Sequence, residues 1–533
     1  MKRRNLMKGL GLLPLAGVMA PFKSVFAAPE TGLAAEQNIF QSIGVEPIIN
    51  CRGTFTIIGG SIERVEVRAA MEAASKNFVQ YDEMADAIHK RLAEITGAEW
   101  ALVSAGCAAG LKHVTAACVT GGNPEKLIRI PDLTGFDKTE VIIPSSSRNV
   151  YDHAIRNIGV RVITVDNLDE MEKAINSHTA MIYLMAFDEA QTGNEFTLAN
   201  VSKIAKLKNI PVLIDAAAEV LTIPNVHLQR GADIVAYSGG KAICGPQCAG
   251  LIIGKKDILM SAWQASSPHH GPGRDNKVGR EEMMGMLAAV EAWTKRDHAA
   301  EWKTWLSYLA NISKKLTSIP GVTTSVFEPT ELSNRSPVLN VFWDPAKFNI
   351  TGAEMAEVLG RTKPRIAVGS NDKDGQSAID ITTGQMQPGN DTIVANRVYE
   401  VLLQKRTPKP AMQGASFNLT GRWDATIQFF SSTSRHSLFL EQDGNWLQGI
   451  HQGDFSTREI KGSLEGDAIK LKSVVRQPAD FVTFIFTGKA SADKITGDIY
   501  MGEYRTATFT AVRINKKPPH EQIMVPGGPP LAT

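Results

Sequence analysis

The chain carries a lysine in the run Tyr237-Ser238-Gly239-Gly240-Lys241-Ala242 and an acid in the run Val212-Leu213-Ile214-Asp215-Ala216-Ala217-Ala218-Glu219. Each follows a short apolar stretch that reads as a buried strand, so each side chain sits where a strand stops. Glycines before the lysine let a bound molecule approach the backbone closely. Burial lowers a lysine pKa, so the amine can act as a nucleophile toward an aldehyde and then as a proton carrier. A carboxylate at the end of a second strand can keep a pyridine nitrogen protonated, which turns the ring into an electron sink. With Asp215 26 residues upstream of Lys241, this amine and this acid suit pyridoxal 5′-phosphate, with Lys241 holding the cofactor and Asp215 its ring nitrogen. An enzyme is expected.

Other segments complete the expected site. Ser104-Ala105-Gly106-Cys107-Ala108-Ala109-Gly110 follows the apolar stretch Trp100–Ser104 and opens a helix. Small residues with free N–H groups at a helix start make a phosphate cradle, so Gly106, Cys107 and Ala108 are assigned to the cofactor phosphate, with Ser238 as a further donor. Ala217 is small enough to lie against one ring face. The other face calls for an aromatic cover, and Asn149-Val150-Tyr151-Asp152-His153 offers Tyr151 or His153. The loop Gly271–Arg280 clusters cations, of which Arg274 and Lys277 could bind an anionic substrate. Arg365, after Pro364, could take a substrate carboxylate by a bidentate contact.

The elements that must position these residues alternate. Helical periodicity at Arg64–Lys76, Asp82–Thr96, Leu168–Ser177 and Leu198–Lys208 is interleaved with strand-like runs at 100–104, 141–144, 160–165, 180–185, 212–215, 234–237 and 250–254. Strands separated by helices imply an α/β fold with a mostly parallel sheet covered on both faces. Glu281–Lys315 reads as one or two long helices. A smaller α/β unit follows, with strands at Val338–Phe342 and Ile379–Thr382 and helices at Gly352–Gly360 and Asn390–Gln404. The expected division is 46–300 for the cofactor-binding domain and 301–408 for the smaller one. A Pro/Gly-rich linker comes next. From Phe417 to Ile514 about eight short alternating strands imply an appended antiparallel barrel or sandwich at 416–515. Its opening Gly421-Arg422-Trp423 resembles the Gly-x-Trp of lipocalin-like barrels. The tail 516–533 is Pro/Gly-rich and expected to be disordered.

The chain's 533 residues exceed one core, and its 43% apolar and 21% charged residues are ordinary for a globular protein. A formal net charge of +2 with interspersed signs gives no footprint for nucleic acid. Five cysteines, Cys51, Cys107, Cys118, Cys244 and Cys248, do not suggest a disulfide framework. Cys244 and Cys248 lack histidine companions, so no metal site is expected. The first 28 residues combine Lys2-Arg3-Arg4, an apolar stretch from Gly9 to Ala20 and small residues at 27–28. This pattern is a cleavable export signal of the twin-arginine type, so the translocation machinery is an expected partner and the periplasm, or export by another route, the expected location. That route moves folded proteins, which suits a cofactor loaded in the cytoplasm.

Ile49-Asn50-Cys51-Arg52-Gly53-Thr54, Thr96-Gly97-Ala98-Glu99, the Asp215 and Lys241 runs, Gly245-Pro246 and the segment Gly273–Gly279 together resemble the selenocysteine synthase-like group of fold-type I pyridoxal enzymes, most of all its D-glucosaminate-6-phosphate ammonia-lyase branch. The resemblance covers roughly 46–405. It implies a seven-stranded, mostly parallel sheet, a smaller C-terminal domain, a site shared between two subunits and hence a homodimer or higher homo-oligomer. The expected activity is carbon–nitrogen elimination from an amino acid or amino sugar acid, with release of ammonia and a keto acid. Selenium transfer, transamination, racemisation and aldol cleavage use the same starting chemistry and remain open. The alternative of another class is a binding protein whose cofactor domain is a relic; the intact Asp215 and Lys241 speak against it.

Overall fold

The structure, a computed structural model, describes residues 38–186, 193–515, 522–525 and 527–528. The export segment expected at 1–28 and most of the tail expected at 516–533 lie outside the described residues. The chain divides into two units, Met1–Ile48 and Ile49–Thr533. The described part of the first holds one short 3-10 turn, Gln41–Ile43. The second contains three separate apolar cores.

The first core surrounds a seven-stranded sheet. Its spatial order is Trp100–Ser104, Gly250–Gly254, Ile234–Ser238, Val212–Asp215, Thr179–Met185, Glu140–Pro144, Arg161–Val165. All neighbours run parallel except that Gly250–Gly254 is antiparallel to both of its partners. The central strands are unbroken apolar runs because helices cover both faces; every residue of Val212–Asp215 and Gly250–Gly254 is buried. Met185 pairs with Asp215, and Asp215 with Ala236. Three parallel strands therefore stop at one edge of the sheet, where α/β folds place their ligands.

Two helices, Arg280–Lys295 and His298–Leu316, lead into the second core. Its four-stranded antiparallel sheet has the order Gly369–Ser370, Ser377–Thr382, Val338–Trp343, Val322–Phe327. The first and last of these strands were not anticipated from sequence. Helices Gly352–Arg361 and Asn390–Leu403 belong to the same body. The former opens with a capping box, Thr351 and Glu354 each satisfying the other's backbone N–H, an arrangement worth about 1 kcal/mol.

The third core fills a closed barrel of eight strands, each antiparallel to the next, from Gly421–Gln428 to Tyr504–Ile514. Between barrel and sandwich, the structure decides for the barrel: the first strand pairs with the last over Arg422–Gln428 and Thr508–Ile514. Alternation fixes the inward set. Trp423, Ala425 and Ile427 point inside while Arg422, Asp424, Thr426 and Gln428 alternate with them. Trp423 donates its indole N–H to the Leu419 carbonyl at 2.9 Å, and the Arg513 guanidinium lies 4.4 Å over its ring. Arg513 also donates to the Thr420 and Asn418 carbonyls at 2.7 and 2.6 Å. One tryptophan and one arginine thus lock the seam.

One barrel cluster is polar. His436 and His451, both buried, meet through Nδ1 and Nε2 at 2.7 Å. Ser473 Oγ lies 2.7 Å from His451 Nδ1, Arg458 donates to the same nitrogen at 3.3 Å, and Asp454 accepts from His436 Nε2 at 3.4 Å.

Candidate active site

Asp215 ends its strand fully enclosed. The Tyr183 hydroxyl donates to its Oδ2 at 2.9 Å, the Ala217 N–H to its Oδ1 at 3.1 Å, and the Cys107 thiol lies 3.7 Å from the same oxygen. Asn149 in turn donates to the Tyr183 hydroxyl at 3.0 Å. Burial pushes the Asp215 carboxyl above its ordinary range, and the donors together with the Lys241 charge pull it back only in part. Burial and the nearby Asp215 charge push the Tyr183 phenol and the Cys107 thiol well up, so both remain protonated donors. Among the described residues no cation lies within ion-pair distance of Asp215. The cluster holds the carboxyl in place without a direct ion pair among the described residues.

Gly106 precedes the helix Cys107–Thr120 with φ +85°, a conformation that favours glycine. Gly250 explains why the turn sits so close to the sheet. A Cβ there would lie 2.6 Å from the Gly106 carbonyl carbon and 2.7 Å from the Cys107 nitrogen. The strand therefore supports the helix start from beneath, while the space beside the Cα of Gly106 is open. Cys107 serves twice, its backbone at the first turn of the helix and its thiol on Asp215.

Lys241 follows the strand Ile234–Ser238 in a turn pinned by backbone bonds: Gly239 N–H to Ala249 O at 2.8 Å, Cys244 N–H to Lys241 O at 3.0 Å and Gly245 N–H to Gly239 O at 2.8 Å. The lysine is half-buried. Its amine makes no hydrogen bond or ion pair among the described residues. Ser238, also half-buried, ends the same strand. Beneath, Tyr237 accepts from Asn225 at 2.7 Å, and the buried Glu219 meets His227 at 2.6 Å. Lys241, Asp215, Ala217, Cys107 and Ser238 are thus gathered around the carboxyl ends of adjacent strands.

The remaining expected residues are not all brought in. Tyr151 is 52% exposed and His153 is exposed as well. What their segment sends toward Asp215 is Asn149, through Tyr183. Arg274 donates to Ser267 Oγ at 2.7 Å and Lys277 is exposed. Arg365 donates to the Gly360 carbonyl at 2.7 Å, at the end of the helix Gly352–Arg361. None of these three cations lines the large cavity of about 1070 Å³ whose wall includes Ala218 and Ala242, the neighbours in sequence of Ala217 and Lys241. Its cations are Arg52, Arg296, Lys303, Arg335 and, when protonated, His298.

Comparison with known proteins agrees with this geometry. Residues 153–371 match the aminotransferase class-V family. The chain is 28% identical over 294 residues to D-glucosaminate-6-phosphate ammonia lyase of Salmonella typhimurium, spanning 54% of this chain and 77% of that one. It is 27% identical over 391 residues to 5′-C-glycyluridine monooxygenase-decarboxylase of a Streptomyces species, spanning 70% and 95%. A solved structure of D-glucosaminate-6-phosphate ammonia-lyase superposes with a TM-score of 0.61 at 24% identity, covering 69% of this chain and 98% of that one. The fold is the fold-type I pyridoxal phosphate fold, with the eight-stranded barrel appended, and the cofactor is pyridoxal 5′-phosphate. The donor set fits that group: a buried carboxylate lacking a cation, an unpaired amine, and an open helix start beside both.

Proposed function

We propose that this protein is a carbon–nitrogen lyase that releases ammonia and a keto acid from an anionic amino acid or amino sugar acid. The carrying observation is the Asp215 cluster, built to receive a cationic N–H. In this reading Lys241 holds the cofactor aldehyde, Asp215 the ring nitrogen, and Ala217 one ring face. The N–H groups at Cys107 and Ala108, with the Ser238 hydroxyl, hold the phosphate; the Gly106 N–H, expected to join them, is instead given to the Ser104 carbonyl at 2.9 Å. Bound there, the cofactor supplies an electron sink for negative charge at a substrate α-carbon.

The protein's residues do the rest. Lys241 Nζ, as a free amine, would take the α-proton and could return it. Tyr183 and the Ala217 N–H keep Asp215 oriented and ionised against the ring nitrogen. The cavity beside Ala218 and Ala242 receives the rest of the substrate, and its arginines meet the substrate's negative charge. The name of the Salmonella relative, an ammonia lyase, supports elimination over the other outcomes.

The purified protein should show visible cofactor absorbance and release ammonia and keto acid from a panel of amino acids and amino sugar acids. Lys241→Ala should lose both the absorbance and the turnover. A colourless native protein that takes up no added pyridoxal 5′-phosphate would sink the proposal, as would full turnover in Lys241→Ala.

A further inference from the structure

The large cavity holds more positive charge than its own acids can balance. Glu301 is the acid that lines it, and Glu301 is already engaged by Arg64 at 3.2 Å and by Arg296 at 2.7 Å. Arg52, Lys303 and Arg335 line the same cavity and have no carboxylate within ion-pair distance among the described residues. Uncompensated guanidinium and ammonium groups facing one concave space favour an anionic occupant.

The same wall is aromatic. Trp302 lines the cavity and is held from behind, its indole N–H donating to Glu328 at 2.7 Å. Trp305 lies 6.0 Å from it, and the Arg335 guanidinium 5.9 Å over its ring. Arg335 is held in turn by its loop. Val220 N–H donates to Leu332 O at 3.0 Å and Asn334 N–H to Ala218 O at 2.8 Å. The loop that presents the cation and the loop that follows Asp215 are therefore stitched together. At about 1070 Å³ the space slightly exceeds the roughly 300–1,000 Å³ range of pockets that hold drug-sized ligands. A small amino acid would leave most of it empty.

We propose that this cavity is a specificity subsite for the distal part of the substrate, which carries a ring and an anionic group on that ring or beside it. Trp302 offers the stacking face, and Arg335 with Arg52 takes the charge. The proposal rests on the lyase reading only in taking this cavity as the place where the substrate extends from Lys241.

The test uses the holoenzyme and uridine 5′-monophosphate, a ring-bearing anion without an amine, so it cannot exchange with Lys241. Tryptophan fluorescence should be quenched saturably, with affinity at least about tenfold tighter than for uridine or inorganic phosphate alone. Arg335→Ala and Trp302→Ala should each weaken that binding by about tenfold or more, and Trp302→Phe by far less, while visible cofactor absorbance confirms that each variant is folded. Equal affinity for uridine 5′-monophosphate and inorganic phosphate overturns the ring, and unchanged binding in Arg335→Ala overturns the subsite. Ammonia release followed on the same preparations separates the two readings: its absence with intact uridine 5′-monophosphate binding counts against the lyase alone, and its presence without that binding counts against the subsite alone.

Discussion

Two places in the molecule bury ionisable groups among apolar side chains, and they end differently. In the barrel, His451 meets Ser473 and Arg458 through Nδ1 and His436 and Arg458 through Nε2, and His436 Nε2 meets Asp454. Each ring nitrogen has a partner, and the chain of contacts runs out to an acid at the barrel end. At the sheet edge, Asp215 gathers Tyr183, the Ala217 N–H and the Cys107 thiol, yet no cation lies within ion-pair distance of it among the described residues. A network that closes on itself orders a fold. A network that stops one partner short awaits a ligand. Burial alone does not separate structural from functional clusters; completeness does.

The sharpest break of this comparison is Asp215→Asn. It keeps the shape and removes the charge, so turnover should fall about a thousandfold or more, about 4 kcal/mol, with the barrel unaffected. Steady-state assays and a melting curve of the same sample check both halves, and near-normal turnover would mean that the cluster has no catalytic role. His451→Ala is the mirror image. It strands Ser473, Arg458 and His436 and leaves a cavity, and should cost the barrel about 2–4 kcal/mol without changing the cofactor spectrum. Denaturant titration reads the first and absorbance the second.

The pH dependence follows with a definite sign. Burial, with Arg458 and His436 nearby, lowers the His451 pKa from 6.5 to about 3, and burial lowers that of His436 too. The unfolded chain therefore binds protons that the folded barrel refuses. Stability from these groups is complete above about pH 6.5 and is lost as pH falls toward 3, by about 1.4 kcal/mol per pH unit for His451. Thermal melts between neutral and acidic pH should show the loss, and His451→Phe should flatten it. The smallest effect belongs to Tyr183→Phe, which removes one donor from Asp215 and should slow turnover about tenfold, near 1.4 kcal/mol. The pH profile of the cofactor band should shift in this variant; an unmoved profile would assign Tyr183 to packing alone.

Much of this was legible because strand ends carry the chemistry. Asp215 and Lys241 each follow an apolar run too short for a helix, and the barrel strands announce themselves by alternation. The linear pattern gives less where an element is half-paired. Val322–Phe327 is an edge strand with mostly exposed residues, so it lacks a buried face to betray it. The first barrel strand, Gly421–Gln428, is legible in the alternation of Trp423, Ala425 and Ile427 with polar neighbours. Tyr183 was hidden as one aromatic in the apolar strand Thr179–Met185; a hydroxyl in a fully buried parallel strand was the available signal. Arg52, Lys303 and Arg335 come from three distant segments, and only the tertiary fold reveals that they share a cavity. Arg274, Lys277 and Arg365 were chosen by local charge, which carries no information about that convergence.

The seam locked by Trp423 and Arg513 has a consequence for how the C-terminal module can meet other molecules. Where the ring of strands is hydrogen-bonded all the way round, an extended peptide finds no free edge to join as an extra strand, and recognition there must be written in side chains. The hairpin tip 474–484 pairs only with itself and keeps its backbone edges open.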